Sequence, residues 1–127
     1  MKKIINTPKV AKPIGPYSQG VVVGNMLFTS GQIALDAVTG NLVMEDVRTE
    51  THKVMSNLKE LLAAADTDFG NTVKTSIFLK SLDDFPTVNE VYASYFSNTN
   101  FPARDTVQVA KLPLDVNVEI SMIVEIF

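Results

Sequence analysis

Arg104 and Glu119 are the strongest candidates for chemistry in this sequence. Arg104 follows Phe101-Pro102-Ala103 at the opening of a strand-like run, and Glu119 interrupts the apolar run from Val116 to Phe127. A guanidinium is permanently charged and planar, so it grips a carboxylate through two parallel hydrogen bonds. Each such bond contributes about 1.5–3 kcal/mol where water is excluded. Pro102 stiffens the backbone ahead of Arg104 and so holds the fork. A glutamate in an apolar strand is costly unless it is paired or has a chemical task, and a carboxylate there can orient or deprotonate a water. Together the two residues point to a pocket that holds a small organic acid and moves a proton beside it. Each also has a plainer reading. Arg104 fits a solvated arginine at a strand end, and Glu119 fits a rim carboxylate paired across the sheet with a cation.

Secondary candidates are scattered along the chain. Tyr17 follows Gly15-Pro16, and Ser30-Gly31-Gln32 closes a strand with a glycine whose backbone can approach a ligand. Asn89 sits off the apolar stripe of a helix, free to face solvent or a pocket. Ser30 has no histidine or acid at a spacing that would make it a hydrolase nucleophile. His52, the one histidine, reads as a surface side chain, and no ligand cluster for a metal is present in the sequence. Neither GxxxxGK[ST] nor a strand-following GxGxxG occurs, so no nucleotide cofactor is implied.

These residues need a scaffold, and the pattern supplies one. Two prolines keep Lys12-Pro13-Ile14-Gly15-Pro16 extended. Gly20–Val23 and Met26–Ser30 flank Gly24-Asn25 as a hairpin. Asp46 is placed to cap a helix whose stripe is Val47, Thr51, Val54, Leu58, Leu61, Leu62 and Ala65. That helix should stop near Ala65-Asp66, with Asp66 where glycine would be easiest. Val73–Leu79 alternates as a strand. Asp84 is expected to cap a second helix, with Pro86 in its first turn and a stripe of Phe85, Val88, Val91, Tyr92, Tyr95 and Phe96. Arg104–Val109 is a further strand, broken by Lys111-Leu112-Pro113. The last strand sets Val116, Val118, Ile120, Met122, Val124 and Ile126 on one face, and Asn117, Glu119, Ser121, Ile123, Glu125 and Phe127 on the other. Consecutive strands joined by a short turn would bring Arg104 and Glu119 together. A strand–helix–strand crossover lets both helices cover one face of a mixed sheet. The opposite face is too apolar for solvent and too polar for a core, which predicts a cyclic homo-oligomer with clefts where sheets adjoin.

The 127 residues, 46% apolar, suit a single domain with its own core. A net charge of −3 with scattered basic residues argues against nucleic acid as partner. The chain has no cysteine, which removes disulfides and thiol chemistry and fits a reducing compartment. Met1–Ile5 opens like a signal peptide, but Asn6-Thr7-Pro8 ends the apolar run early, and no segment is long enough to span a membrane. A cytoplasmic protein is the expectation.

Taken in order, Ile14-Gly15-Pro16-Tyr17-Ser18-Gln19, Phe28-Thr29-Ser30-Gly31-Gln32-Ile33, Val73-Lys74-Thr75, Val88-Asn89-Glu90-Val91-Tyr92, Phe101-Pro102-Ala103-Arg104 and Val118-Glu119-Ile120 resemble the reactive-intermediate deaminases (Rid, the RidA-like branch) almost end to end. The resemblance implies one chorismate-mutase-like α/β domain over residues 1–127. Its mixed, mostly six-stranded sheet would carry two helices on one face, and the domain would assemble as a homotrimer with ligand clefts between subunits. It implies a hydrolase that acts on C–N bonds without metal or organic cofactor, converting 2-iminobutanoate and 2-iminopropanoate to 2-oxo acids and ammonia. On this resemblance Arg104 binds the substrate carboxylate, and Glu119 places the attacking water together with the Gly31 carbonyl. Tyr17, Ser30 and Asn89 line the pocket. Thr106 stands where the family often has cysteine, so no thiol can be required here. A non-enzymatic regulator that binds small acids in the same pocket, and a chaperone using exposed apolar surface, are the competing readings.

Overall fold

The computed structural model describes residues 1–97 and 100–126. Its elements run β1 (Lys3–Ile5), β2 (Gly20–Val23), β3 (Met26–Thr29), α1 (Val47–Ala64), β4 (Thr72–Leu79), α2 (Phe85–Ala93), β5 (Ala103–Gln108) and β6 (Val118–Glu125). One sheet contains all six strands in the order β1-β2-β3-β6-β4-β5. β4 and β5 are parallel, joined through α2, and every other pair is antiparallel. Among the described residues no helix is long and apolar enough to cross a membrane.

The helices form where the local signals lie. The Asp46 carboxylate accepts from the Thr49 amide at 2.7 Å, which satisfies an otherwise orphan donor of the first turn of α1. The face that follows buries Val54, Met55, Leu58, Leu61 and Leu62. Glu50 is buried on the same face. α1 and α2 pack on the side of the sheet that carries Leu27, Ile77, Val118, Ile120 and Val124, and these residues make the core. Period-two alternation therefore decides every strand residue's environment. β6 buries Val118, Ile120, Met122 and Val124 and half-exposes Glu119, Ser121, Ile123 and Glu125.

The helix-free face keeps an apolar character. The register aligns Ile4, Val21, Phe28 and Ile123 across β1, β2, β3 and β6, and Phe78 with Val107 across β4 and β5. Phe28 is 45% exposed and Ile4 48%. Phe127, expected on this face, lies outside the described residues.

Four expectations are corrected. Lys3–Ile5 forms an edge strand paired with β2, although the sequence offers too short a run to read as one. Asp84 makes no side-chain cap; instead the Ser81 hydroxyl accepts from the Asp83 amide at 3.1 Å and opens a 3-10 turn that leads into α2. α2 stops at Ala93, so Tyr95 and Phe96 pack from beyond it, with Phe96 4.8 Å from the Tyr92 ring centroid. Asn117 does not share the face of Glu119. The chain reaches β6 through a left-handed turn at Leu114 and Asp115, strand pairing begins only at Val118, and the Asn117 side chain turns toward α1 to meet Glu50.

α1 ends as expected at a left-handed Asp66, φ 58°. The Cβ of a non-glycine residue clashes with the carbonyl there, by about 1 kcal/mol for ordinary residues and less for Asp. Glycine removes that clash but frees the unfolded chain. Asp66→Gly is therefore expected to leave the urea-unfolding free energy within about 0.5 kcal/mol of wild type; a larger loss would show that the Asp side chain contributes more than its backbone costs.

Candidate functional site

Arg104 sits on β5 opposite Thr75 of β4. Thr75 is fully buried on the helix-covered side, so Arg104 projects under α2. Its Nη1 donates to Asn89 Oδ1 at 2.7 Å. Its guanidinium carbon lies 5.4 Å from the Phe85 ring centroid and 5.3 Å from that of Tyr92. Stacking on two rings holds the cation by about 0.5–1 kcal/mol per ring at an exposed site. The Tyr92 hydroxyl donates to Thr75 Oγ1 at 2.9 Å, and burial pushes its pKa up, so it stays a neutral donor. Asn89 thus has a task that spacing alone did not reveal: it engages one edge of the fork and leaves the rest to face a hollow of about 410 Å³. Phe101, Pro102 and Ala93 complete that hollow. Thr106 lies two residues on, across from Ile77. Its Oγ1 is the buried side-chain polar atom without a partner among the described residues.

Glu119 occupies a different place. It pairs with Phe78 of β4 and faces the helix-free side, where Tyr17, Ser30, Gly31 and Gln32 join it around a hollow of about 530 Å³. Burial pushes its pKa above the ordinary carboxylate value. Gly31 is required by proximity. A Cβ added there would fall 2.6 Å from Glu119 Oε2 and 2.7 Å from its Cδ, so any side chain would displace the carboxylate. Gln32 and Ile120 exchange backbone hydrogen bonds of 2.8 and 3.1 Å, which extends the β3 edge onto β6 and fixes Gly31 beside Glu119.

The Tyr17 segment is tied to the same point. The Ser30 amide donates to the Gln19 carbonyl at 2.9 Å, and the Ser30 hydroxyl donates to the Ser18 carbonyl at 2.5 Å. Ser30 therefore lines the hollow with its hydroxyl proton already committed. Tyr17 is 53% exposed at the rim. Gln19 escaped the sequence reading as a functional residue. Its buried amide accepts from the Thr7 amide and donates to the carbonyls of Thr7, Val10 and Ala11, which shapes the segment that brings Ala11 and Lys12 to the hollow. Its signals were a polar side chain just ahead of a β-run and its place at the end of the Ile14-Gly15-Pro16-Tyr17-Ser18-Gln19 segment. His52 is exposed, with Nδ1 2.8 Å from the Tyr95 hydroxyl, and lines neither hollow.

The expected meeting of Arg104 and Glu119 does not occur within one protomer. β4 stands between β5 and β6, and the two side chains leave the sheet on opposite faces. The two groups of residues stand apart: a cation with Asn89, and a carboxylate with Gly31 and Tyr17.

Comparison with known proteins bears on this arrangement. Residues 7–126 match the family described as Endoribonuclease L-PSP. A RutC family protein of Saccharolobus solfataricus is 47% identical over 98% of each chain. A 2-iminobutanoate/2-iminopropanoate deaminase of Salmonella typhimurium is 46% identical over 97% of each. The solved structure of Escherichia coli TdcF with bound serine has a TM-score of 0.91 at 42% identity, covering 97% of this chain and 98% of that one. The chain belongs to the Endoribonuclease L-PSP family, which includes the reactive-intermediate deaminases it resembles in sequence.

Proposed function

We propose that the protein is a 2-iminobutanoate/2-iminopropanoate deaminase, a cofactor-independent hydrolase whose site is assembled from two copies of the chain. Relatives of near-equal length that carry this name support the activity. The observation that carries the site is the division of Arg104 and Glu119 between opposite faces of the sheet. Each hollow holds half of what imine hydrolysis needs, and the apolar helix-free face offers a surface for a second copy. A head-to-tail contact that closes after three subunits would set the Arg104 half-site of one against the Glu119 half-site of the next.

In that cleft Arg104, stacked between Phe85 and Tyr92 and braced by Asn89, binds the substrate carboxylate. The Thr106 hydroxyl, buried and unpartnered among the described residues, lies two residues along β5 from Arg104. Glu119 and the Gly31 carbonyl hold a water. The iminium carbon is already electrophilic, so positioning contributes more than strong base. Water oxygen bonds to C2 while Glu119 takes a proton. The carbinolamine nitrogen receives that proton, the C–N bond breaks, and the C2 hydroxyl loses its proton to form the ketone. The balance is R–C(=NH2⁺)–COO⁻ plus H2O giving R–CO–COO⁻ plus NH4⁺. The family description names an endoribonuclease, but a chain of net charge −3 with one guanidinium as anchor suits a small acid better than a polyphosphate track.

Hydrolysis of 2-iminobutanoate, generated in situ by a threonine dehydratase, tests the activity. Arg104→Ala is expected to lower kcat/KM by at least about a hundredfold, the loss of two charge-assisted bonds. Retention of the rate would remove the anchor. Binding of 2-oxo acids with no turnover above the free-solution rate would favour a regulatory binder instead.

Mixing tests the shared cleft. Arg104→Ala and Glu119→Gln proteins, each inactive alone, are unfolded and refolded together. Random assembly leaves about a quarter of the interfaces with both residues intact, so about a quarter of wild-type activity should return. No recovery, or a monomer by light scattering at micromolar concentration, would put the site within one chain.

The pH profile follows from Glu119. Burial raises its pKa, the ionised form works, and activity is lost as pH falls through that raised value. The acid limb of kcat/KM should therefore lie above the range of an ordinary glutamate. A limb at the ordinary value would mean another group sets it.

A further inference from the structure

We infer that the turn Pro113–Asp115 is a strained specificity element, in which Leu114 reads the substrate's side chain and the buried Glu50 holds it in place. The inference deepens the deaminase reading and rests on it for the orientation of the substrate. Leu114 and Asp115 take φ values of 55° and 56°, a region that L-residues other than glycine avoid because Cβ meets the following carbonyl. Two such residues in succession persist only where their surroundings over-determine them. Here the ends of the turn are pinned. Leu112 and Val116 are buried on either side, and the Asp115 amide donates to the Leu112 carbonyl at 3.1 Å. Between these anchors Leu114 stands 59% exposed and lines, with Pro113, the same hollow as Glu119 and Gly31. Ile14 and Leu35 extend the apolar wall.

Glu50 supplies the remaining constraint. Its side chain is 0% exposed, and the mechanism has no use for it. Oε2 accepts from the Asn117 amide at 2.8 Å and Oε1 from Asn117 Nδ2 at 2.7 Å. The Asn117 carbonyl in turn accepts from the Lys80 amide at 3.0 Å. The carboxylate thus clamps the exit of the turn to α1, two residues ahead of Glu119. With the substrate's acid end on Arg104 and its C2 beside Glu119, a side chain on C3 runs along the Leu114 wall. The ligand class is the 2-imino acid with a branched aliphatic side chain.

The test compares a long and a short substrate in two readouts. One is kcat/KM for 2-imino-4-methylpentanoate against 2-iminopropanoate. The other is the affinity for the unreactive 4-methyl-2-oxopentanoate against pyruvate, by calorimetry. Glycine accepts φ 55° without penalty, so Leu114→Gly should keep or raise Tm. The same variant should cut the long-to-short preference about tenfold in both readouts, mainly through KM. An unchanged preference overturns the inference, as does a lowered Tm, which would mean the leucine is there for stability. Glu50→Ala should shift the preference in the same direction. Glu50→Gln should restore it, since its amide keeps both bonds once the Asn117 amide flips. A Glu50→Ala protein that loses Tm with its preference intact would make Glu50 structural only. If wild type turns over neither imine, the deaminase reading fails, while the affinity ratio still decides the role of Leu114.

Discussion

β4 lies between the strand that carries Arg104 and the strand that carries Glu119. Its Thr75 pairs with Arg104 and its Phe78 with Glu119. Odd-numbered residues of β4 from Thr75 to Leu79 face the helices, and even-numbered ones face away. This register sends a cation under α2 and a carboxylate to the bare face. Flipping Glu119 would require a one-residue slip of β6 that also turns Val118, Ile120 and Val124 out of the core. Arg104, on the edge strand β5, is held on its side by Asn89, Phe85 and Tyr92. A site that needs both groups needs a second chain, and the apolar residues left on the bare face give that chain a reason to bind.

Much of this could be read from the residues because the signals are local. Asp46 followed by an apolar stripe announced α1, the alternation read from Val116 to Phe127 announced the strand that forms as Val118–Glu125, and Asp66 marked a helix end that costs backbone strain. The resemblance was carried by short segments that prove to be the places where backbone and site meet, Ser30-Gly31-Gln32 above all. The expected strand-helix-strand crossover exists as β4, α2 and β5.

What stayed hidden was non-local or masked by residue type. Consecutive strands are often neighbours, and that habit placed β5 beside β6; the insertion of β4 between them depends on which pairing buries the most surface, which no window of sequence displays. Asn117 was assigned to the Glu119 face by counting twos backward past Val118, but β6 begins only at Val118 and the Asn117 side chain meets Glu50 on α1. Glu50 lies at the spacing of the apolar stripe, three residues after Val47 and four before Val54. An acid on that stripe is the signal that was available. Its partner lies 67 positions away, so the signal had no visible explanation.

In the cleft proposed above, the charges would favour an imine over the ketone it becomes. Burial by itself makes ionised Glu119 expensive. A 2-imino acid bound in that proposed cleft would bring two charges, with its carboxylate against Arg104. The iminium would then face Glu119, where an opposite charge favours the ionised carboxylate. On this mechanism the substrate would help to ionise the group that takes the proton from the attacking water. The 2-oxo product keeps the carboxylate but has lost the cation, so in the proposed cleft the hold of Arg104 would persist while that of Glu119 lapses. On that reading product would be bound more weakly than substrate by the interaction that lapses.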